Sequence, residues 1–314
     1  MNKTESFSCI VRNPARLEEL NQFKKKSTSA SAHPFYPLKT PMGALRCPLQ
    51  SQALKDITII DHSHPPATQD TTKQWYSDLL HHNPWLVFLE YYREEQRSEI
   101  RCAGALIKST FVVTAAHCIR TPKLVARLGE YDLTSEIDCL GGACADPIVR
   151  IDVRDVTVHP AYDNRQHDIA LLRLEVEAPY TDFIRPICLP SGRLPQDAHF
   201  VATGWGEIPH EGIYSSIKKI VVLPYWKKTD CRSSYKHYNV PDNVICAGGQ
   251  NGIDTCKGDS GGPLTLIRDR IELWGVTSAG NAHCGSENSP GMYTDVQMYL
   301  DWIHAVMVLA ESQD

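Results

Sequence analysis

The sequence predicts an all-β fold of closed barrels followed by one α-helix. From Asn83 onward the chain consists of short alternating segments separated by turn residues, and little of it has helical periodicity. Regular short strands favour a closed barrel or a sandwich, and so many of them favour two barrels. The exception is the segment 298–310, where apolar side chains recur at helical spacing. We expect this C-terminal helix to pack on the β core through a face formed by Tyr299, Trp302, Ile303 and Val306.

Ten segments have the composition and alternation of strands. They are residues 85–92, 105–114, 124–129, 149–158, 169–176, 200–203, 217–223, 263–267, 271–278 and 291–296. Residues 1–75 are rich in Ser, Thr, Pro, Lys and His and have no sustained period, so we expect a mostly disordered leader or pro-segment. A turn or two of helix at 16–23 is the exception. Residues 76–314 are predicted to form the folded domain.

Composition excludes several classes of partner. With 314 residues and 42% hydrophobic content, the chain is long enough to bury a large core. Its formal net charge of -5 offers no basic surface for nucleic acid. The best apolar run, 305–310, is far too short to cross a membrane. The histidines at 62, 64, 81 and 82 lack acidic or cysteine partners, so we interpret them as linker residues rather than zinc ligands.

Eleven cysteines are many for a cytosolic enzyme, and they are scattered rather than paired at zinc-knuckle spacing. This usage indicates a disulfide framework and therefore an extracellular location. The first 20 residues are polar and charged, without the apolar core of an export signal. An incomplete or alternatively spliced start would reconcile the two observations.

The stretch 254–263, DTCKGDSGGP, holds the first candidate for chemistry. Ser260 lies between glycines and beside an aspartate, where a tight turn can direct backbone N–H groups to a point next to the hydroxyl. Such a turn suits a nucleophile with an oxyanion hole. The stretch alone is equally consistent with an ordinary loop, so a base and an orienting acid are required elsewhere.

Two further segments supply candidates for the base and the acid. His117 ends the segment VVTAAHC, where the neighbouring Cys118 would anchor its backbone, although a buried structural histidine would look the same. Asp168 leads into the apolar run IALLRL. A carboxylate at the edge of such a run is expensive to bury without a partner, and an imidazole N–H would serve.

The order His117, Asp168, Ser260 in the settings TAAHC, DIALLRL and GDSGGP resembles the trypsin/chymotrypsin family of serine endopeptidases. The resemblance extends from about residue 83 to the C-terminus. It implies two six-stranded antiparallel β-barrels with a C-terminal helix, and a hydrolase that requires no cofactor. It also implies that Ser260 is the nucleophile, His117 the general base and Asp168 the residue that orients the histidine.

The same resemblance assigns binding roles. The N–H groups of Gly258 and Ser260 would hold the oxyanion. Asp254, six residues before the nucleophile, would lie at the base of the specificity pocket and select Arg or Lys before the cleaved bond. Gly280 and Gly291 match small residues that keep this pocket open, and Ser278 matches a serine beside the triad acid. Protein substrates, an upstream activating protease and serpin-type inhibitors are the implied partners.

Most of the cysteines match family positions as well. By resemblance Cys188 matches a cysteine that tethers the propeptide of zymogens, with Cys47 as its candidate partner, and Cys9 stays unpaired. Cys139 and Cys144 enclose four residues and are interpreted as a local bridge. The shared family bridges would be Cys102–Cys118, Cys231–Cys246 and Cys256–Cys284. The segments LGEYD and DFIRPICLP most resemble arthropod clip-domain cascade proteases, but the six cysteines of a clip domain are not found upstream.

Two departures from the family pattern bear on function. Ala279 stands where the family usually has a tryptophan, which removes an apolar wall beside the substrate backbone. The Ile-Val-Gly-Gly start, whose freed ammonium group pairs with the aspartate before the nucleophile, is also missing, and the region reads TTKQWYSD at 71–78. That aspartate would be Asp259, the activation switch. The alternative hypothesis is therefore an activation-impaired homologue that binds proteins without cutting them.

The acidic loop that follows the third predicted segment offers hard oxygen ligands close together in sequence. A structural calcium ion there is one hypothesis, because calcium prefers carboxylates and carbonyls in flexible loops. A solvated acidic loop is the other. The candidate ligands are Glu130, Asp132, Thr134 and Asp138.

Overall fold

The computed structural model describes residue 80 and residues 82–313, apart from 95, 122, 165, 209, 210 and 237. The predicted leader and the short helix at 16–23 therefore lie outside the described residues. The first barrel consists of β1 (Leu86–Arg93), β3 (Cys102–Lys108), β4 (Phe111–Thr114), β5 (Lys123–Leu128), β8 (Val149–Val158) and β9 (Ala170–Leu174). These strands pair in the order β1-β3-β4-β9-β8-β5, and β1 pairs with β5 to close the barrel. A short strand β2 (Gln96–Arg97) pairs antiparallel with the end of β1. Strands β6 (Cys139–Leu140) and β7 (Ala143–Cys144) form a separate hairpin.

The second barrel is also closed and six-stranded. Its strands are β10 (His199–Gly204), β11 (Lys219–Trp226), β12 (Val244–Gly248), β13 (Pro263–Ile267), β14 (Ile271–Ala279) and β15 (Pro290–Asp295), in the order β10-β11-β12-β15-β14-β13. Helix α1 (Lys228–Ser234) precedes β12, and helix α2 (Leu300–Glu311) ends the fold. The pairings within both barrels are antiparallel.

The predicted fold class is confirmed, and several elements differ from the prediction, among them the short strands β2, β6 and β7 and helix α1, which were not predicted. The segment 105–114 is not one strand, because Ser109 and Thr110 form a turn between β3 and β4. Strand β12 was not predicted. Its five residues are all buried, so the segment VICAG is a short apolar run without the alternation that marks a half-exposed strand. The predicted C-terminal helix is present as α2.

The cores explain how the barrels and the helix stay together. Ile303 of α2 is fully buried in the same cluster as Leu89 and Val113 of the first barrel. The second barrel is filled around Trp274 and Tyr293. Burial of each such side chain contributes roughly 1.5–3 kcal/mol.

One aromatic contact joins the two barrels. The rings of Phe88 in β1 and Trp205 after β10 meet edge to face, with centroids 5.6 Å apart. Packed apolar side chains therefore join the two barrels. None of the helices that the structure describes is long and apolar enough to span a membrane.

Candidate active site

His117 is fixed by its position between a strand and a disulfide. It lies in a 3₁₀ turn (Ala116–Cys118) that directly follows β4, and the Cys102–Cys118 bridge ties this turn to the first residue of β3. The Nδ1 atom of His117 is 2.7 Å from Oδ2 of Asp168. Its backbone N–H donates to the other carboxylate oxygen of Asp168, at 2.9 Å. These two contacts fix both the ring and the backbone of the histidine.

Asp168 is held from both barrels. It is 6% exposed, and its Oδ2 also accepts a hydrogen bond from Ser278 Oγ at 2.5 Å. Thr294 of β15 donates from its hydroxyl to the Asp168 carbonyl at 2.8 Å. Burial alone would raise the pKa of Asp168, but the hydrogen bonds from His117 and Ser278 hold it below its ordinary value. An ionised carboxylate facing Nδ1 favours the tautomer with the proton on Nδ1, which leaves Nε2 free to accept one.

The turn that carries Ser260 is fixed between β3 and β14. The Ser260 carbonyl accepts from the N–H of Ala103 at 2.7 Å, and the N–H of Gly261 donates to Thr277 at 2.8 Å. Gly258 has a φ of +96°, a conformation that favours glycine. Since Ala103 follows the cysteine bridged to Cys118, the same strand positions Ser260 and the turn of His117.

Asp259 is directed into the protein next to two glycines. Its carboxylate accepts from the backbone N–H groups of Gly206 at 2.8 Å and Cys256 at 2.9 Å. The sequence offers this aspartate no ammonium partner from an Ile-Val-Gly-Gly start, and its described partners are these two backbone donors. Burial raises its pKa to about 6. A cavity of about 190 Å³, lined by Gly206, Ile208, Val221 and other residues, borders the Asp259 side chain.

Asp254 is 7% exposed and lies where β12, β15 and the Cys256–Cys284 bridge meet. Its carboxylate accepts from the N–H groups of Thr255 at 2.8 Å and Gly285 at 3.3 Å. Burial raises the pKa of Asp254 to about 6. A Cβ at Gly291 would lie 3.3 Å from this carboxylate and 3.0 Å from the hydroxyl of Tyr293, so the absence of a side chain there leaves room above Asp254. A Cβ at Gly280 would meet only the backbone of Gly291, at 3.8 Å.

The structure contains four disulfides between described cysteines: three have the pairings implied by the resemblance, and the fourth is the local bridge predicted from its short spacing. They are Cys102–Cys118, Cys139–Cys144, Cys231–Cys246 and Cys256–Cys284. Cys188 is disulfide-bonded too. Its candidate partner Cys47 lies outside the described residues, as does Cys9.

The acidic loop is organised around a guanidinium group. Arg127 is 2% exposed, forms an ion pair with Glu130, and donates to the carbonyl of Ser135 at 3.0 Å. Asp138 is buried as well and accepts from the N–H of Tyr131 at 2.8 Å.

The other two candidate calcium ligands bond to each other instead of joining this buried group. Asp132 accepts from the hydroxyl of Thr134 at 2.8 Å on the outside of the loop. Among the described residues, the acidic groups of this loop do not gather as three ligands within 4.8 Å. The cluster that does, Cys102, His117 and Cys118, has its sulfur atoms in a disulfide, so it cannot supply thiolate ligands.

Sequence reasoning missed several residues that support the site. One of them is Thr294, whose contact with the Asp168 carbonyl joins segments that are far apart in the chain. Gly206 makes room for Asp259, and the Thr-Gly-Trp-Gly pattern around it was a usable signal. Arg120, whose Nε donates to the His117 carbonyl at 2.9 Å, and Tyr214, whose ring lies against Gly258, have no local sequence signal because each contact depends on the folded loops.

The two six-stranded barrels with this cleft between them define a serine-type endopeptidase of the trypsin-like kind. The chain belongs to the Trypsin family, whose match covers residues 76–303. Neuropsin, a serine protease expressed in the limbic system of mouse brain, has a similar structure with a TM-score of 0.62 and 31% sequence identity. The similarity covers 72% of this chain and 96% of the neuropsin chain.

Insect proteases are among the similar proteins. The phenoloxidase-activating enzyme of Bombyx mori is 41% identical, over 70% of this chain and 57% of its own length. CLIP domain-containing serine protease B10 of Anopheles gambiae is 38% identical, over 70% and 65% of the two chains. The Spaetzle-processing enzyme of Drosophila melanogaster is 37% identical, over 70% and 62%. The chain therefore spans less than two thirds of the length of these relatives.

Proposed function

We propose that this chain is a secreted endopeptidase that cleaves proteins after Arg or Lys, with Ser260, His117 and Asp168 as its catalytic triad. The observation that carries the proposal is the 2.7 Å contact between His117 Nδ1 and Asp168 Oδ2. It orients the imidazole next to the strand that also holds the Ser260 turn. Support comes from the family membership, since a serine-type endopeptidase requires a nucleophile, a base and an orienting acid.

The chemistry follows from these positions. Ser260 Oγ attacks the scissile carbonyl while His117 Nε2 takes its proton, and the same nitrogen then gives a proton to the leaving amine. Asp168 keeps the histidine in the required tautomer and stabilises the imidazolium that forms. The N–H groups of Gly258 and Ser260 hold the oxyanion. Loss of one such donor typically costs about 3 kcal/mol of the barrier.

Selection of Arg or Lys rests on the carboxylate of Asp254. Asp254 is buried, and two backbone donors only partly replace the hydration that its carboxylate has lost. A guanidinium or ammonium group of the substrate would supply the missing hydrogen bonds and an opposite charge. Gly280 and Gly291 leave space for a long side chain. Ala279 is exposed at the end of β14 and adds little apolar surface beside the substrate, so recognition beyond the pocket is expected to be broad.

The biological setting is proposed to be an extracellular proteolytic cascade. Support comes from the disulfides and from the printed names of the insect relatives, one a phenoloxidase-activating and another a Spaetzle-processing enzyme. In such a setting the chain is made as a zymogen that an upstream protease activates, and serpin-type inhibitors control it. Asp259 is the proposed activation switch, because a cavity beside its carboxylate offers room for an ammonium group.

An alternative is a protease homologue that binds cascade proteins without cutting them. Its support is the missing Ile-Val-Gly-Gly start and the raised pKa of Asp259, whose described partners are backbone N–H groups. A fluorophosphonate probe that labels active serines distinguishes the two, applied before and after limited tryptic cleavage. The enzyme hypothesis expects labelling and turnover of an Arg-amide substrate in at least the cleaved form, with the Ser260→Ala variant as control. Absence of both in both forms would reject it.

The acidic loop fits neutralisation by cationic side chains of the protein better than it fits a bound calcium ion. Glu130 and Asp138 face inward, and Arg127 already supplies a positive charge among the loop oxygens. Lys218 adds a second buried cation: its backbone N–H donates to the carbonyl of Tyr131 in the loop at 2.9 Å, and its Nζ lies 5.6 Å from the centre of the Tyr131 ring. We therefore propose that the loop is held by Arg127 and Lys218, and that catalysis requires no cofactor.

A further inference from the structure

We propose that Arg101, Arg120 and Tyr214 form a binding surface for the part of the substrate that follows the cleaved bond, and that this surface selects acidic residues there. We call these three residues the leaving-group surface. The inference rests on the proposed function, because it concerns the substrate of the same site. It adds a second determinant of specificity, opposite in charge to Asp254.

The side of the nucleophile on which this surface lies follows from the hydrogen bonds of the Ser260 turn. Toward β14, Gly261 donates to Thr277, and that strand continues to Ser278 and Ala279 at the edge of the Asp254 pocket. Toward β3, Ala103 donates to the Ser260 carbonyl. A substrate whose Arg or Lys side chain enters the pocket therefore continues past Ser260 over the beginning of β3, where Arg101 precedes the first residue of the strand.

Tyr214 places this surface directly beside the oxyanion hole. A Cβ on Gly258 would lie 3.0 Å from a ring carbon of Tyr214, so the ring packs against the glycine that would bind the oxyanion. The tyrosine is nevertheless 44% exposed. Its free face is therefore available to the first residues that leave the cleft.

Arg101 is held in place on the same ring. Its guanidinium carbon is 4.7 Å from the centroid of the Tyr214 ring, and its Nη1 donates to the Ser215 carbonyl at 3.2 Å. A guanidinium has five N–H donors, so this contact leaves donors for a carboxylate. Glu99 is near enough to act on the Arg101 charge, and Arg97 adds to the positive potential. A fixed guanidinium loses less side-chain entropy on binding than a free one.

Arg120 supplies a second cation beside the catalytic histidine. Arg120 lies two residues after Cys118, and Arg101 lies one residue before Cys102. Because these two cysteines form a disulfide, the two arginines flank it. Its Nε donates to the His117 carbonyl at 2.9 Å, and the side chain is exposed. The cleft thus has a negative charge at the Asp254 end and two arginines at the other end, where Glu99 lies near Arg101. A peptide with the complementary order, Arg or Lys followed by Asp or Glu, matches both.

The test uses internally quenched peptides with Arg before the cleaved bond and Glu, Gln or Lys at the second and third positions after it, hydrolysed by the activated full chain. We expect kcat/KM to fall in the order Glu, Gln, Lys, by roughly fivefold for each cation engaged at low salt. The difference should shrink as salt is added. In Arg101→Gln and Arg120→Gln the ratio of Glu to Lys peptides should fall, and in the double variant approach one.

The readout is the ratio of kcat/KM for the Glu peptide to kcat/KM for the Lys peptide. Arg120 also contacts His117, but a general loss of rate in its variant affects both peptides equally and leaves the ratio unchanged. Arg232→Gln is the matched control, since Arg232 lies on α1 and pairs with Asp242, and its ratio should stay at the wild-type value. Equal kcat/KM for the three peptides, or ratios that the two variants leave unchanged, would overturn the inference while the proposed function stands. No turnover of any Arg or Lys peptide together with no fluorophosphonate labelling would overturn the proposed function, and this inference with it.

Discussion

The carboxylate of Asp259 accepts a hydrogen bond from the backbone of Gly206 at 2.8 Å, and it occupies the space that a side chain at 206 would need. A Cβ there would lie 2.3 Å from Oδ2 of Asp259, and a Cβ at Gly204 would lie 2.1 Å from Oδ1. Since Asp259 is the neighbour of Ser260, these two glycines determine the position of the turn that carries the proposed nucleophile. The site therefore requires glycine at positions 204 and 206.

The variant Gly206→Ala should lose activity without unfolding. Its added methyl group cannot coexist with the Asp259 carboxylate, so the turn of Gly258 and Ser260 must shift and the oxyanion donors with it. We expect kcat/KM on an Arg-amide substrate to fall by about 10²-fold, the range seen when an oxyanion donor is removed. Circular dichroism and the melting temperature report on the fold.

Gly212→Ala is the control for that experiment. A Cβ at Gly212 has open space around it, although the φ of +70° adds a backbone cost of about 1 kcal/mol. Gly212→Ala therefore strains the backbone at least as much as Gly206→Ala does. Equal activity of Gly206→Ala and the wild type would contradict the inference that Gly206 and Asp259 fix the turn of Ser260.

Replacement of Asp168 by asparagine should preserve the structure and remove most of the activity. The asparagine amide keeps the size of the side chain but no longer holds the His117 tautomer with a free Nε2. We expect kcat to fall by roughly 10⁴-fold. Steady-state kinetics measures this, with Asp182→Asn as control because Asp182 is exposed and pairs with Arg185. A loss smaller than tenfold would remove Asp168 from the triad.

Binding of a cationic pocket ligand should depend on pH through Asp254. Burial raises the pKa of this carboxyl to about 6 in the free protein, so it is ionised at pH 8 and largely protonated at pH 5. The cation binds the ionised form. The association constant of an aryl amidinium should therefore be constant above about pH 7 and fall by up to about tenfold per pH unit below 6.

Calorimetric titration of the amidinium between pH 5 and 8 measures this dependence. The variant Asp254→Ser should bind the amidinium weakly and lose most of the pH dependence, and it should also lose turnover of Arg and Lys peptides. Tight amidinium binding by this variant at any pH would show that the pocket charge lies elsewhere.

Arg127 should matter far more to stability than calcium does. Arg127→Met leaves the buried carboxylate of Glu130 without its ion-pair partner and removes the most buried of the three arginines around Glu90, and breaking a buried pair typically costs about 3–5 kcal/mol. Arg154→Met, at an exposed arginine that pairs with Asp155, should cost less than about 1 kcal/mol. Thermal unfolding of both variants and of the wild type, with and without millimolar calcium, provides the comparison. A calcium-dependent rise in the melting temperature of the wild type would instead support the calcium hypothesis.

Much of the fold could be read from the sequence because strands that are exposed on one face alternate in polarity. The β8 segment at 149–158 was predicted with its observed bounds for this reason. Strand β12 could not be, because both of its faces are buried and the alternation disappears. The turn at Ser109 and Thr110 was hidden because neither glycine nor proline marks it.

The candidate site divides in the same way. Asp168, His117 and Ser260 lie in local sequence settings that point to them, whereas Arg101, Arg120 and Tyr214 do not. Their contacts join loops that are distant in the chain, such as the 4.7 Å approach of Arg101 to Tyr214. The cation that faces the acidic loop could not be predicted from the loop itself, because Arg127 precedes the loop and belongs to a strand.

The restraints on Asp168 bear on how the chain acquires activity during folding. Its partners His117, Ser278 and Thr294 stand 51, 110 and 126 residues away in sequence. Such long-range contacts close large loops and form late, after each barrel has gained its local hairpins. We therefore expect catalytic competence to return last on refolding, behind the recovery of secondary structure.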